Sequence, residues 1–114
     1  MKILLIDDDK NMLNSLGFLL NEHGYTDLVL ASDCRQAREA LKANRVDLCV
    51  IDYALPDGNG VDLAKEIKKQ YPNIRNIIFT AYFTDTNPDD FKNEAIFAAI
   101  PKKVSKLVEL LKKR

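Results

Sequence analysis

The chain of 114 residues contains no tryptophan, one histidine and two cysteines, and these scarcities exclude several kinds of site. Cys34 and Cys49 are too few for a disulfide scaffold, and no CxxC motif or histidine pair accompanies them as in a zinc site. His23 closes the first predicted helix, where interaction with the helix dipole explains it better than metal ligation. We therefore expect two reduced, structural thiols in a cytoplasmic protein.

Long apolar runs and excess charge are also absent. No stretch approaches the roughly 20 apolar residues that cross a bilayer, and no signal peptide is recognisable. Seventeen basic residues balance seventeen acidic ones, so charge indicates neither a membrane nor a nucleic-acid partner. The locally basic stretch 102–114 is typical of the solvated face of an amphipathic helix. We expect one soluble domain, 1–114, with no output domain in these residues.

Short aliphatic runs alternate with amphipathic segments along the chain, which predicts alternating strands and helices. Strands are predicted at about 2–6, 28–31, 48–51, 77–79 and 98–100. Helices are predicted at about 10–22, after Asp33, from Val61 to before Pro72, from Asn87-Pro88, and over 104–112. Met12, Leu16, Leu19 and Leu20 form the expected core stripe of the first helix, and the turn-rich segment 56–60 is expected to be a loop. The pattern predicts an α/β fold, a doubly wound five-stranded parallel sheet flanked by five helices.

Acidic residues follow two of these strands directly. Asp7 and Asp8 come after the first run, and Asp52 comes after the third. Carboxyl ends of parallel strands meet at the crevice where open α/β sheets bind ligands. Like charges about 4 Å apart repel by about 4 kcal/mol at an effective dielectric near 20, so such a cluster needs a cation or a shared proton. An all-oxygen ligand set favours Mg²⁺, with Mn²⁺ as a substitute.

Two further polar residues follow the remaining strands of the sheet. Thr80 comes after the fourth strand, and Lys102 comes after the fifth. A hydroxyl, an ammonium and a divalent ion can together position and neutralise a phosphoryl group. A carboxylate beside the metal can act as the nucleophile that becomes an aspartyl phosphate.

The motifs at these four places resemble those of response-regulator receiver domains, the phosphoacceptor modules of two-component signalling. They read Ile-Asp-Asp-Asp ending at Asp9, Asp-Tyr-Ala-Leu-Pro-Asp-Gly-Asn-Gly over 52–60, Phe-Thr-Ala over 79–81, and Lys102. The resemblance covers essentially the whole chain. It implies the flavodoxin-like strand order 2-1-3-4-5.

The resemblance also implies a role for each matching residue near the metal. Asp52 resembles the phosphoacceptor and a metal ligand. Asp8 resembles a direct Mg²⁺ ligand, and Asp7 resembles one acting through water. The backbone carbonyl of Ala54 would be a further ligand.

Outside the metal ligands, the resemblance assigns the phosphoryl contacts. Thr80 and Lys102 match the switch hydroxyl and the lysine that contact the phosphoryl oxygens, and Pro56 and Gly60 would shape the adjacent loop. The implied donor is a sensor histidine kinase or a histidine phosphotransfer protein. The implied output is a switch of the surface around 82–105 that controls an unknown output domain or effector, with a phosphorylation-dependent dimer left open. Slow self-dephosphorylation is expected, since Ala54 offers no side chain to orient water.

Two residues depart from the family pattern. Lys102 is followed by Lys103 instead of proline, which leaves a trans loop, a strained cis bond, or Lys103 in the role of Lys102. Ala99 stands where many relatives carry the switch aromatic. Phe97 or Tyr82 would have to replace that aromatic, unless loop and helix shifts alone read the switch.

Other interpretations remain open from the sequence. A receiver-like binding module that is never phosphorylated is one, and a small aspartyl-phosphatase of the haloacid-dehalogenase type, with Asp7 as nucleophile, is another. Asp9 reads as a dipole partner of the first helix and Asp57 as a turn residue. Tyr53 and Tyr82 are candidate packing residues. Tyr82, two residues after Thr80, is equally a candidate gate for access to the phosphoryl site.

Overall fold

Strands and helices alternate along the chain in the computed structural model, which describes residues 1–81 and 93–112. The strands are β1 (Ile3–Ile6), β2 (Leu28–Ala31), β3 (Leu48–Ile51), β4 (Ala54–Leu55), β5 (Gly58–Asn59), β6 (Arg75–Thr80) and β7 (Ala98–Pro101). The helices are α1 (Lys10–Glu22), α2 (Cys34–Ala43), α3 (Gly60–Gln70) and α4 (Val104–Lys112). None of these helices is long and apolar enough to span a bilayer.

Five of the strands form one sheet in the order β2-β1-β3-β6-β7, with every neighbouring pair parallel. Counting only these five strands, the order is 2-1-3-4-5, so the predicted flavodoxin-like architecture is confirmed. β1 and β3 lie inside the sheet, and every residue of each is buried. Burial on both faces explains why these two segments are continuous aliphatic runs rather than alternating ones.

Two hydrophobic clusters cover the two faces of the sheet. Leu4 and Ile6 of β1 pack in one cluster, with α2 and α3, whereas Ile3 and Leu5 pack in the other, with α1 and α4. This partition follows from the period of two along a strand. The helices therefore sandwich the sheet and leave its carboxyl edge free for polar residues.

The core-facing stripe of α1 differs from the predicted one. The structure buries Leu13, Leu16 and Leu20, whereas Leu19 is 38% exposed and Met12 is only half-buried. Positions 13, 16 and 20 follow the helical spacing of three and four residues, and 12 and 19 flank that stripe. The prediction of Met12 and Leu19 as core residues was wrong, because the short apolar pattern of α1 fits two neighbouring stripes.

The predicted loop over 56–60 also contains more structure than expected. Ala54 pairs with Asn59 and Leu55 with Gly58, which makes a small antiparallel hairpin of β4 and β5. α3 begins at Gly60, one residue before the prediction, because the Asn59 side chain accepts the N–H of Asp62 and caps the helix. The fourth predicted helix, opened by Asn87-Pro88, lies outside the described residues.

Candidate functional site

Strand register brings the acidic residues together. Ile6 of β1 pairs with Ile51 of β3, so Asp7 and Asp52 leave adjacent parallel strands at the same level. The backbone N–H of Asp52 donates to the carbonyl of Ile6 at 2.9 Å, which extends the ladder one residue past the strands. The two side chains are therefore set by the sheet and not by a mobile loop.

The carboxylates of Asp7, Asp8 and Asp52 form one cluster. A carboxylate oxygen of each lies within 4.8 Å of the others, and Asp7 and Asp52 are buried while Asp8 is exposed. At that separation each pair of charges repels by about 3–4 kcal/mol at an effective dielectric near 20. Three converging oxygen donors with a solvent-facing member fit a hard divalent cation such as Mg²⁺, which retains several waters.

Lys102 supplies a positive charge to the same cluster. Its Nζ lies 2.7 Å from Oδ2 of Asp7 and 3.3 Å from Oδ2 of Asp52. The neighbouring Lys103 is exposed, so the geometry favours Lys102 as the lysine of the site. The described peptide bonds around both lysines are trans. The amide of Lys102 donates to the carbonyl of Thr80 at 3.2 Å, which ties this turn to the end of β6.

Burial and charge perturb the titration of this group. Burial, then the charge of Asp7, raise the pKa of Asp52 to about 6, although Lys102 partly opposes the shift. Burial acts to lower the pKa of Lys102, but hydrogen bonding to Asp7 and the charge of Asp52 outweigh it and raise that pKa. Lys102 is therefore charged, and ionisation of Asp52 costs free energy that a bound cation would offset.

The residues expected to report phosphorylation lie at different ends of the sheet. Thr80 is fully buried at the carboxyl end of β6, two residues beyond Ile78, the partner of Ile51. Phe97 instead lies beneath Arg75, at the amino end of β6. The guanidinium carbon of Arg75 is 4.9 Å from the centroid of the Phe97 ring. Phe97 is therefore too far along the sheet to replace the switch aromatic. Tyr82, the other candidate, lies outside the described residues.

The segment after Asp52 is folded tightly against the end of β3. A Cβ added to Gly60 would lie 2.3 Å from the carbonyl oxygen of Asp52 and 2.9 Å from Cγ2 of Ile51. The amide of Gly60 also donates to the carbonyl of Tyr53 at 2.7 Å. Glycine is thus required at position 60 by the close approach of two backbones. Ala54 lies in the hairpin between these contacts, where it pairs with Asn59.

Three neighbouring residues have roles outside the cluster. Asp9 accepts the N–H groups of Asn11 and Met12 and caps α1, as the dipole interpretation predicts. Tyr53 is half-buried and packs against the core. Asp57 is more than a turn residue, because it accepts two N–H groups at the start of α2. That contact was not predicted from the sequence. The one indication in the sequence was that Asp33 alone cannot accept from every free backbone N–H group at the start of α2.

Residues 3–113 match the family described as the response regulator receiver domain. The chain belongs to the response regulator receiver domain family. It is 33% identical over 96 residues to the alginate biosynthesis transcriptional regulatory protein AlgB of Pseudomonas aeruginosa, and 31% identical over 104 residues to the transcriptional regulatory protein GlrR of Escherichia coli K12. These matches cover 83% and 91% of this receiver domain but only 21% and 23% of the two regulators.

Solved receiver structures share the whole fold. The response regulator TrrA of Thermotoga maritima, solved in complex with Mg²⁺-BeF, superposes with a TM-score of 0.87 at 29% identity, covering 99% of this chain and 98% of TrrA. A CheY-like receiver domain protein of Methanospirillum hungatei gives a TM-score of 0.87 at 27% identity, covering 98% of this chain and 90% of that one. TrrA has also been solved in complex with the histidine kinase ThkA. The receiver fold and its acidic pocket are therefore established for this chain.

Proposed function

We propose that this receiver domain accepts a phosphoryl group on Asp52, in a reaction that requires Mg²⁺. The observation that carries the proposal is the buried Asp52 carboxylate, which shares one cluster with Asp7 and Asp8 and lies 3.3 Å from Nζ of Lys102. The proposed donor is a phosphohistidine of a sensor histidine kinase or a histidine phosphotransfer protein. The complex of the similar regulator TrrA with the kinase ThkA supports a donor of this class.

In the proposed transfer, a carboxylate oxygen of Asp52 forms a bond to phosphorus while the phosphorus–nitrogen bond to the donor imidazole breaks. The electron pair of that bond stays on the imidazole nitrogen, which takes up a proton from solvent. Mg²⁺ would neutralise the phosphoryl oxygens and the facing carboxylates. Asp8 and the Ala54 carbonyl would hold it directly, with Asp52, and Asp7 would hold it through water.

The chain's own groups determine the rest of the step. Lys102 already lies beside Asp52, so its ammonium can pair with a phosphoryl oxygen as the group arrives. Thr80, at the end of the next strand, would approach another oxygen. Water would later attack phosphorus and release inorganic phosphate, and Ala54 has no side chain that would accelerate this hydrolysis.

The proposed output is a population shift of the surface around 82–105, of which 93–105 lie in the described part. The added charge and acceptor oxygens would draw Thr80 and Lys102 towards the phosphoryl group and change what a partner or output domain binds. A phosphorylation-dependent dimer is one form this output can take. The two buried, free thiols Cys34 and Cys49 fit the proposed cytoplasmic location.

Acetyl phosphate, a small phosphodonor, tests the proposal without knowledge of the kinase. With Mg²⁺, we expect the intact mass of the protein to increase by one phosphoryl group, and Asp52→Asn or chelation of the metal to abolish the increase. Asp9→Asn is the matched control, because asparagine caps a helix about as well as aspartate and Asp9 faces α1. It should remain phosphorylated.

The same panel separates the alternative functions. A phosphatase of the haloacid-dehalogenase type would turn over a generic phosphomonoester and lose that activity in Asp7→Asn rather than in Asp52→Asn. The cap formed by Asp9 argues against that class, because its D-x-D pair would need Asp7 and Asp9 in one site. A wild-type protein that never gains the phosphoryl mass would instead support a binding module, and labelling that persists in Asp52→Asn would overturn the assignment.

A further inference from the structure

One side chain joins the loop after the phosphoacceptor to a different helix. The carboxylate of Asp57 accepts the backbone N–H of Cys34 at 2.8 Å and that of Arg35 at 3.1 Å. Asp57 lies at the turn between β4 and β5, whereas Cys34 and Arg35 begin α2, more than 20 residues earlier in sequence. The contact is therefore tertiary and not part of the turn's own geometry.

The start of α2 needs this acceptor. The side chain of Asp33 accepts the N–H of Gln36 at 2.7 Å, and the N–H of Ala37 donates to the Asp33 carbonyl at 3.1 Å. The first two donors of the helix, at Cys34 and Arg35, remain beyond the reach of Asp33. Asp57 supplies both acceptor oxygens, and these N–H groups, that of Cys34 first, hold the pKa of Asp57 below its usual value.

Packing reinforces the contact on the other side of the turn. A Cβ added to Gly58 would lie 3.3 Å from Sγ of the buried Cys34, so the hairpin lies directly against the start of α2. From this turn, the pairing of Leu55 with Gly58 and of Ala54 with Asn59 leads back to the backbone around Ala54. A displacement of Asp57 would therefore reach Ala54 through these two residue pairs.

We propose that Asp57 is a positioning residue for the metal site: by binding the start of α2, it fixes the hairpin and so the Ala54 carbonyl that would ligate Mg²⁺. This inference rests on the proposed function, since it concerns the same site. It goes further because the carboxylate of Asp57 bonds to the start of α2 and not to the cluster of Asp7, Asp8 and Asp52. A helix cap with no such role would change stability and leave metal affinity unchanged.

The test compares Asp57→Ala and Asp57→Asn with wild type and with the control Asp27→Asn. Asp27 has the same charge but is exposed and lies just before β2, at the amino end of the sheet, where its carboxylate is 3.9 Å from Nζ of Lys2. Titration calorimetry with Mg²⁺ alone gives the affinity. Since loss of a capping acceptor corresponds to about fivefold in an equilibrium constant, we expect Asp57→Ala to bind Mg²⁺ about three- to tenfold more weakly. Asp57→Asn, which keeps one acceptor oxygen, should be intermediate.

Two further measurements exclude a general loss of structure. The rate of phosphorylation by acetyl phosphate at saturating Mg²⁺ should equal that of wild type, because only the concentration of Mg²⁺ required has changed. Amide hydrogen exchange without metal should increase at 34–35 and 53–60 in Asp57→Ala and stay unchanged in Asp27→Asn. Hydrogen exchange does not depend on any activity of the protein.

The outcomes separate this inference from the proposed function. If wild type binds Mg²⁺ and Asp57→Ala binds it equally well, the positioning role is wrong while the proposed function stands. An equal loss of affinity in Asp27→Asn would also overturn it, because charge alone would then explain the effect. If wild type binds no Mg²⁺, the proposed function fails and this inference fails with it.

Discussion

The two ends of the central sheet satisfy their polar groups in opposite ways. At the carboxyl end, three carboxylates and one lysine converge, and the pKa of Asp52 is raised to about 6, by burial first. At the amino end, polar groups donate to acceptors within the fold. The backbone N–H of Lys2 donates to Asp47 at 2.8 Å, and Asn76 donates to the carbonyls of Ala64 and Ala95 at 3.2 and 3.1 Å.

The amino ends of these strands therefore contribute mainly to stability, and the carboxyl ends form the site. The hydrogen bonds at the amino end have both partners within the protein and need no ligand, although Oδ1 of the buried Asn76 has no hydrogen-bond partner among the described residues. The cluster at the carboxyl end has an excess of negative charge that a divalent cation would balance, so it costs stability until a ligand binds. Substitutions at the two ends should therefore change stability and metal binding in different combinations.

Gly60→Ala should have the largest effect, because it damages both properties at once. The new Cβ would lie 2.3 Å from the Asp52 carbonyl oxygen, which forces the strand and the loop apart. We expect the free energy of unfolding, measured in urea, to fall by about 2 kcal/mol or more, with loss of Mg²⁺ binding. Gly17→Ala is the control: its nearest neighbour, Cδ1 of Leu28, is 3.8 Å away, and alanine should stabilise α1 by about 0.5–1 kcal/mol.

Asn76→Ala should lower stability without changing the site. It removes the amide donor to the carbonyls of Ala64 and Ala95, but it also removes a buried Oδ1 that has no partner among the described residues, so we expect a net cost of about 1–2 kcal/mol in urea unfolding. Calorimetry should find the Mg²⁺ affinity of the folded variant equal to that of wild type. The exposed Asn14→Ala should change stability by less than about 0.5 kcal/mol. A parallel loss of metal affinity in Asn76→Ala would contradict the separation of the two ends.

Asp52→Asn should stabilise the metal-free protein, and the gain should depend on pH. Burial and the charge of Asp7 raise the pKa of Asp52 from 3.8 to about 6, so between these values the native state binds more protons than the unfolded state. The stability contributed by Asp52 therefore falls as pH rises through this window. At pH 7 without metal we expect a gain of about 1–2 kcal/mol, less than the full shift implies because solvent screens part of it.

The size of this gain is measured by urea unfolding at several pH values. It should shrink as pH falls from 6 towards 3.8 and approach zero only below about pH 3, where Asp52 is protonated in both states, and added Mg²⁺ should reverse the order by stabilising wild type. Asp62→Asn, an exposed position, serves as the control. If Asp52→Asn is less stable than wild type at pH 7 without metal, burial and repulsion by Asp7 do not destabilise the ionised Asp52 as this account requires.

The strands and their polar ends were predictable from the sequence because both depend on local pattern. Aliphatic runs such as Leu48–Ile51 specify buried parallel strands, and an acidic residue directly after such a run must emerge at the carboxyl edge. Asp7, Asp8, Asp52 and Lys102 come together for this reason. The adjacent position of Asp52 and Asp7 required only the strand order.

Other features depend on contacts between distant segments, which local pattern does not encode. The choice of Leu13 over Met12 depends on how α1 rotates against the sheet. The contact of Asp57 with α2 depends on where a hairpin lies in space, and the separation of Phe97 from the site depends on its position at the amino end of β6. Sequence spacing alone could not decide these questions.

The most direct test of the central claim is to locate the phosphoryl group itself. After treatment with acetyl phosphate and Mg²⁺, borohydride reduction converts an aspartyl phosphate to homoserine, which tandem mass spectrometry locates in the peptide chain. The account predicts homoserine at Asp52 and nowhere else. Homoserine at Asp7, or a phosphoryl group held on His23 with Asp52 unchanged, would contradict it.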